Sequence, residues 1–321
     1  MPRIGIDTGG TFTDLVMLDE RAVTVHKVRS TPHDPSQAIL LGIHDLMGNV
    51  DGADIVHGST VATNAVLERK GARVALLATA GFEDVLAIGR QTRRELYNIF
   101  VEDRRPLVEP GMIFAVVERV TAEGDVVLAL DPAAMGVLAE ELLRSGSEAV
   151  AICLLHSYAN PVHEQLAADQ LAKTGLCISA SHRILPEYRE FERWSTTVVN
   201  AYVTPLMARY LSRLEEKLAR ARLSLMQSNG GSISAASAKA TAVQTILSGP
   251  AAGVVGARAV AEAAGFSAVI SFDMGGTSSD VCVIEGDLGV MTESTVGHFP
   301  KLLPIIDIHT VSAGGWCIAY V

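Results

Sequence analysis

The chain has 321 residues, which predicts about two domains, and its formal charge of −10 argues against nucleic acid or an anionic membrane as the main partner. The cysteines are far apart and form no CxxC pair, which excludes a disulfide framework or a zinc finger and predicts reduced thiols in a cytoplasmic protein. The longest weakly charged stretch, 251–270, contains Arg258 and Glu262, so it predicts a close-packed helix rather than a membrane span. Nothing in residues 1–7 resembles a signal peptide.

Strand and helix patterns alternate along the chain and predict a mixed α/β architecture. The predicted strands are 3–7, 14–18, 22–28, 54–57, 73–78, 149–155 and 223–228. The predicted helices are 36–47, 132–145, 161–174, 192–220 and 235–239. We place a domain boundary at the start of the long helix, which gives domains of 1–195 and 196–321.

One motif occurs twice, as IGIDTGGTFTDLVML at 4–18 and as ISFDMGGTSSDVCVI at 270–284. Each copy predicts a strand that ends at an aspartate, Asp7 or Asp273, followed by a Gly-Gly-Thr turn and an antiparallel strand. The copies are 266 residues apart and indicate one device in two domains. We expect the two hairpins to face each other across a cleft, and their spacing fits neither GxxxxGK[ST] nor GxGxxG.

This turn has the chemistry of a phosphate site. Glycines are expected to supply unusual backbone angles and bare N–H groups, and the neighbouring hydroxyls add donors. The predicted phosphate ligands are Gly9, Gly10, Thr11, Thr13, Gly275, Gly276, Thr277 and Ser278. The aspartates would hold Mg²⁺ through water, because Mg²⁺ prefers one or two carboxylates with waters and phosphate oxygens. Asp14 and Asp280 are expected to brace the turns by accepting N–H groups.

The paired hairpins resemble the actin-like ATPase superfamily, in which two related domains hold ATP between them. The segments RIGIDTGGTFTD, HGSTVATNAVLERKGARVALLATAGFEDVLAIGRQ, MQSNGG, LSGPAAGVVGA, FDMGGTSSD and DIHTVSAGG resemble the ATP-binding A subunit of the hydantoinase/oxoprolinase family. The resemblance implies an actin-like (ribonuclease H-like) two-domain fold with mixed sheets. It implies that 249–257 belongs to a connecting helix, whose small residues allow a close helix crossing.

The sequence departs from the family pattern at three points. Family A subunits are about twice as long, so we expect a fragment with a truncated second domain that is inactive alone. The usual AGGGSIAWV reads AGGWCIAYV, with Trp316 and Cys317 at the changed positions. The usual RQxRPxLY reads RQTRRELY, with Arg94 in place of proline.

The resemblance implies an ATP-dependent hydrolase that opens a cyclic amide of hydantoin, N-methylhydantoin or 5-oxoproline type. ATP would phosphorylate the carbonyl oxygen, and water would then attack the activated carbon. ATP and Mg²⁺ are the implied cofactors, a B-type subunit is the implied partner, and an oligomer is expected. Two alternatives are the ATPase subunit of an acetone or acetophenone carboxylase and an actin-like nucleotide switch, and the polar STVATN and SNGG segments disfavour the switch.

The resemblance also places the STVATN loop in the cleft near the substrate. The implied substrate residues are His57, Thr60, Thr63, Asn64 and Arg90. Two alternatives stay open: Ser59 or Thr60 caps a helix, and Arg90 and Arg93 form surface ion pairs with Glu95 or Glu83.

Two further segments carry candidate residues. Asp307 and His309 would share one face of a strand, and they form either a metal pair or a structural pair. Asn229, Gly230 and Gly231 follow a strand and are expected to line the cleft.

Overall fold

A computed structural model describes residues 2–19, 22–31, 34–48, 50–92, 97–99, 105–275 and 279–311. The strands are β1 Arg3–Thr8, β2 Phe12–Asp19, β3 Ala22–Arg29, β4 Asp54–Ser59, β5 Val74–Thr79, β6 Ile113–Val116, β7 Arg119–Val120, β8 Val126–Leu128, β9 Ala149–Cys153, β10 Cys177–Ala180, β11 Arg222–Met226, β12 Ser232–Ser234, β13 Ala268–Met274, β14 Ser279–Glu285, β15 Val290–Val296, β16 Phe299–Ile306 and β17 His309–Val311. The helices are α1 Pro35–Met47, α2 Val61–Leu67, α3 Val85–Ile88, α4 Pro132–Arg144, α5 Val162–Leu171, α6 Ser181–Ile184, α7 Glu190–Lys217, α8 Ala235–Ala240 and α9 Ser248–Ala263. Short 3-10 turns cover Pro110–Met112, Ala172–Thr174 and Ala242–Thr245.

Three sheets organise these elements. The first sheet has the order β12-β11-β4-β1-β2-β3, with β1 antiparallel to β2 and parallel to β4. The second sheet, β10-β9-β5-β6, is parallel throughout. The third, β13-β14-β17, is antiparallel. Two-stranded ribbons, β7-β8 and β15-β16, complete the described strands.

The sequence accounts for the central elements. Strands β5 and β9 are buried along their whole length, and such continuous apolar runs are typical of parallel strands covered on both faces. Helix α1 begins where Asp34 accepts the N–H of Ser36 and Pro35 occupies the first turn. Helix α7 contains Pro205 and is buried over most of its first 18 residues, so it packs as a core helix rather than a surface helix.

The core has one large and one small part. The large cluster joins the first and second sheets to α7, and the small cluster joins α9 to β14 and the end of β16. The boundary at 195/196 falls inside α7, and β11 and β12, which follow it, pair with the first sheet through β4. The boundary itself stays a prediction.

Candidate functional site

The two hairpins have the same strand register, as the repeated motif predicts. Asp7 is opposite Asp14 in the first hairpin, and Asp273 is opposite Asp280 in the second. Four residues separate the last strand pair in each hairpin, between Thr8 and Thr13 or between Met274 and Ser279. Both aspartates therefore occupy the same place, two residues before the first residue of the turn.

The glycines of the first turn do not have the unusual backbone angles that we expected. Neither Gly9 nor Gly10 has a positive φ, so unusual backbone angles are not their reason. A Cβ on Gly9 would lie 3.1 Å from the carbonyl oxygen of Phe12, which also accepts the Gly9 N–H. A Cβ on Gly10 would meet open space. The turn is thus tight at Gly9 and open at Gly10.

The predicted hydroxyl ligands of the first turn separate into two groups. Thr11 is exposed beside the turn, whereas Thr13 is fully buried. The Thr13 hydroxyl bonds that of Ser30 (3.0 Å), and Ser30 donates to the Gly9 carbonyl (2.7 Å). Thr13 therefore supports the turn from inside. The predicted ligands Gly276, Thr277 and Ser278 lie outside the described residues.

The bracing aspartates also differ from expectation. In the described part of the chain, Asp14 pairs with Lys27 (2.9 Å) instead of accepting a turn N–H. Asp280 accepts the hydroxyl of Thr310 at 2.6 Å. Each hairpin is thus tied to the next strand of its own sheet by its second aspartate.

Asp7 lies where β1, β4 and the start of α9 meet. Ideal Cβ atoms on Gly58 and on Gly249 would each be 3.1 Å from Asp7 Oδ1, so only glycine leaves the carboxylate its present space on both sides. Ser248 holds α9 there by donating to the Ser59 carbonyl (3.3 Å). Gly58 and Gly249 are functional candidates that sequence reasoning missed, because their neighbour is distant in sequence.

The surroundings of Asp7 also change its acidity. The pKa of Asp7 is raised from 3.8 to about 6. The residue keeps an exposed face, yet the protein around it removes water from the carboxylate, and this desolvation is the largest cause of the rise. The negative charges of Asp14 and Asp273 are the smaller causes. Asp273 is therefore near enough to interact with Asp7. The combined negative charge of the two carboxylates favours binding of a cation.

A cavity of about 610 Å³, which we call the first cavity, opens beside the first turn. Its lining includes Thr8, Gly9, Gly10, Thr60, Asn64, Arg209, Tyr210 and Arg213. The Thr8 hydroxyl is buried without a hydrogen-bond partner among the described residues. An unpaired buried hydroxyl and two guanidinium groups beside an open glycine suit a polar, anionic ligand.

Helix α2 begins at this cavity without a side-chain cap. Thr60 is the N-cap residue, but its hydroxyl donates to the Thr8 carbonyl (3.1 Å) and so ties the loop to the first hairpin. Ser59 Oγ accepts the Val61 N–H at 3.3 Å. Asn64, one turn later, is exposed to the cavity.

His57 lies behind the first cavity and has no exposed surface. Its ring forms hydrogen bonds with the Ile6 carbonyl (3.4 Å, through Nδ1) and the Tyr210 hydroxyl (2.7 Å, through Nε2). Burial lowers the pKa of His57 to about 4, so the ring is neutral, and its donor faces Ile6 while its acceptor faces Tyr210. His57 therefore orients Tyr210, which lines the cavity.

Thr63 and Arg90 do not join the first cavity. Thr63 is buried and accepts the N–H of Leu247, the residue before α9, at 3.0 Å. Arg90 lines a second cavity and binds Glu192 (2.5 Å) and Glu293 (3.1 Å). The open alternative of ion pairing at Arg90 is realised with these two partners rather than with Glu83.

Two other predicted groups are placed as follows. Asp307 lies between β16 and β17 and His309 begins β17, so the expectation that they share one strand face is wrong. Gly230 has a φ of 85° and packs against Val255 of α9 and Ile306, and Asn229 accepts the Gly231 N–H (2.9 Å).

Two features are absent from the described ranges. No group of three or more histidine, cysteine or acidic side chains there is arranged to hold a metal by itself. Among the same residues, no helix combines the length and apolar character needed to cross a bilayer.

Two family models match the chain. The hydantoinase/oxoprolinase N-terminal region matches residues 3–175, and hydantoinase/oxoprolinase matches residues 193–321. Caprolactamase subunit alpha of Pseudomonas jessenii is 35% identical over 99% of this chain and 48% of its own length. 5-Oxoprolinase 1 of Arabidopsis thaliana is 33% identical over 98% of this chain and 28% of its own length.

Solved structures agree with the sequence matches. The ATP-dependent caprolactamase of Pseudomonas jessenii superposes with a TM-score of 0.87 and 33% identity, over 99% of this chain and 49% of that one. The nucleotide-free structure of acetone carboxylase superposes with a TM-score of 0.86 and 28% identity. The match covers 97% of this chain and 48% of that one. The chain spans about half the length of these two enzymes' chains. The predicted mixed α/β fold of actin-like ATPase type is confirmed.

Proposed function

The chain belongs to the hydantoinase/oxoprolinase family, and from this premise we propose that it is the nucleotide-binding subunit of an ATP-dependent cyclic amide hydrolase. The observation that carries the proposal is the placement of Asp7. Its carboxylate has glycine on both sides, and the second hairpin's Asp273 is near enough to raise its pKa. A paired-hairpin phosphate site requires this convergence.

The residues of the first hairpin then receive distinct roles. Gly10 and Thr11 contact the phosphates at the open side of the turn, and Thr60 and Asn64 contact the acceptor in the first cavity. Thr13 and Thr63 position these groups from the interior, and His57 does so through Tyr210. In the second hairpin, Gly275, Gly276, Thr277 and Ser278 contact the phosphates from the opposite side, and Arg90 lies apart with its own cavity.

The donor set fits Mg²⁺. The carboxylate of Asp273 raises the pKa of Asp7, so negative charge at this place favours a divalent cation, and the described residues offer no all-protein cage. Mg²⁺ commonly binds one or two carboxylates and completes its shell with waters and phosphate oxygens. Asp7 and Asp273 would hold it through water, and when bound it supplies charge neutralisation for the phosphates.

The proposed reaction begins with phosphoryl transfer from ATP to the amide carbonyl oxygen, with ADP leaving. Water then adds to the carbon, the ring C–N bond breaks, and the nitrogen takes a proton. A second water releases the phosphate from the resulting acyl phosphate. This chain's residues align the reactants and stabilise charge, which is most of what phosphoryl transfer needs. Because one relative is a subunit alpha, we also propose a partner subunit for the later steps.

The direct test replaces the two aspartates in the assembled enzyme. Asp7→Asn and Asp273→Asn keep the size of the side chain but remove the charge, and each should reduce ATP turnover by roughly 10²–10³-fold. Asp169→Asn, at an exposed position of α5, is the matched control and should keep normal turnover. Thermal melting separates loss of turnover from loss of folding. Near-normal turnover in both hairpin variants would refute the proposal.

A second candidate function is ATP-dependent carboxylation of a small ketone. It is favoured by the similarity to acetone carboxylase, which covers 97% of this chain. Turnover assays of the assembled enzyme with ATP and either 5-oxoproline, hydantoin, or acetone plus bicarbonate distinguish the two. Ring opening supports the hydrolase, and bicarbonate-dependent consumption of acetone supports the carboxylase.

A further inference from the structure

The second cavity, of about 460 Å³, contains a buried lysine that the proposed reaction does not use. The cavity lies between the β15-β16 ribbon, the start of α7, the residue before α9 and the segment that leads into β17, and its lining includes Arg90, Glu192, Leu247, Glu293, Lys301 and Thr310. Lys301, on β16, is only 1% exposed although it lines this space. Lysine is rarely buried to this extent without a charged partner.

Lys301 lacks such a partner within the described ranges. Its ammonium makes one long hydrogen bond, 3.4 Å from Nζ to the Ile246 carbonyl, and no carboxylate there lies within ion-pair distance. Three N–H donors therefore share a single weak acceptor. Burial lowers the pKa of Lys301 to about 8, with no charged neighbour contributing. The amine is still mainly protonated at pH 7, so no charge of the described residues compensates the buried ammonium.

The other charged side chains that line this cavity, Arg90, Glu192 and Glu293, form a neutral cluster with Arg189, which lies outside the lining. Glu192 and Glu293 each bind both Arg90 and Arg189, at distances from 2.5 to 3.2 Å. Two guanidinium groups and two carboxylates make this cluster neutral as a whole. The remaining polar side chains on the cavity wall are the hydroxyls of Ser294, Thr295 and Thr310. Among the described residues, this cluster and Lys301 together carry a net charge of about +1, and Lys301 is the charge without an ionic partner.

The shape and apolar part of the cavity limit the ligand. Leu247, Met291, Ile305 and Ile308 form an apolar wall, and the volume is that of a small-molecule site. A monoanion with a compact apolar body matches the single ammonium and this wall. A nucleotide triphosphate, with its larger charge, does not.

We propose that the second cavity binds a small carboxylate-type monoanion, whose oxygens pair with the Lys301 ammonium. The anion is either a small ring carboxylate or bicarbonate. Thr310 joins the cavity to the second hairpin, because its hydroxyl donates to Asp280, which is opposite Asp273. This anion site is separate from the first cavity, where Thr60 and Asn64 contact the acceptor, and it does not rest on the proposed function.

The test is calorimetric titration of the full-length protein without nucleotide at pH 7. The probes are 5-oxoproline, 2-pyrrolidone, which is the same ring without the carboxylate, and sodium bicarbonate. We expect 5-oxoproline or bicarbonate to bind at least tenfold more tightly than 2-pyrrolidone. Lys301→Met should abolish this preference, Lys301→Arg should keep part of it, and Lys173→Met, at an exposed position, should leave it unchanged. The identity of the tighter probe tells which source supplies the anion.

The pH profile supplies a readout that a structural lysine would not give. The probe anions keep their charge between pH 7 and 9, so affinity should fall as the pH rises through the range where Lys301 loses its proton. Lys301→Met should show no such fall and should melt no lower than the wild type at pH 7, because a buried charge is removed. If that variant does not fold, Lys301→Arg and the wild-type profile decide.

Two results would overturn the proposal: equal, weak binding of all three probes to the wild type, or unchanged anion binding by Lys301→Met. Because no ATP is present, either result is independent of the Asp7→Asn assay. The anion-site proposal can therefore be refuted while the nucleotide-site proposal holds. The nucleotide-site proposal can likewise be refuted while the anion-site proposal holds.

Discussion

The two hairpins share a motif and a register, yet they bury opposite faces. In the first hairpin, Ile4 and Ile6 are 1% and 3% exposed, and they lie on the face opposite Asp7. Their counterparts in the second hairpin, Ile270 and Phe272, are 69% and 64% exposed. There the face that carries Asp273 is the packed one.

The difference comes from the helices that cover each sheet. Helix α1 packs on β1 and β2, and Gly42 lets it approach Leu15 closely. Helix α9 packs on β13 and β14, where Ala251 and Val254 meet the inward side chains of β14. The start of α9 also reaches Asp7, so one helix touches the aspartate-bearing side of both hairpins. The motif specifies the turn, and its neighbours specify which face is buried.

The largest expected effect is a difference in unfolding free energy between alanine substitutions at equivalent positions of the two hairpins. Ile4→Ala removes a buried side chain from the large core and should cost about 3 kcal/mol of unfolding free energy. Ile270→Ala, at the matching position, should change it by less than about 0.5 kcal/mol. Urea denaturation of both variants measures the contrast. Equal losses would mean that the exposed face of β13 is packed in solution.

A smaller effect tests how α9 approaches the first hairpin. A Cβ on Gly249 would lie 3.1 Å from Asp7 Oδ1, so Gly249→Ala must displace the carboxylate by a few tenths of an ångström. We expect about a tenfold loss of ATP turnover, since phosphoryl transfer depends on alignment. Gly253→Ala, four residues along the same helix, meets open space and should keep turnover while adding about 0.5–1 kcal/mol of stability. Equal turnover in the two variants would contradict close positioning of Asp7 by α9.

Local features of the site were predictable from the sequence. The strand, turn and strand of each hairpin follow from alternating apolar residues around Gly-Gly, and the repeated spacing predicts that Asp7 and Asp273 occupy equivalent positions. The cap of α1 at Asp34 is equally local. These features depend on residues within a few positions of one another, which is the range that sequence patterns report.

Long-range packing was not predictable in the same way. Tyr210, which makes His57 a buried positioning residue, is 153 residues away, and the partners of Arg90 are 102 and 203 residues away. A single sequence gives no sign of such pairs. Lys301 is different, because a lone lysine within the apolar run FPKLLPII is visible in the sequence and could have been selected as a candidate.

The smallest effect concerns the charge that the packing imposes on Asp7. The folded-state pKa of about 6 exceeds the ordinary value of 3.8, so folding becomes less favourable as the pH rises from 3.8 through 6. Asp7→Asn removes this cost. The variant should therefore melt slightly above the wild type at pH 8, and the gain should disappear as the pH falls towards 4.

The measurement is the melting temperature of both proteins between pH 4 and 8 without nucleotide or Mg²⁺. Asp169→Asn provides the reference variant, because that position is exposed on α5. In the assembled enzyme, Mg²⁺-dependent ATP binding should weaken below about pH 6, where protons compete for Asp7. A variant that melts below the wild type at pH 8 would mean that the Asp7 carboxylate stabilises the fold, and the glycines beside it would then serve the hairpin rather than a bound cation.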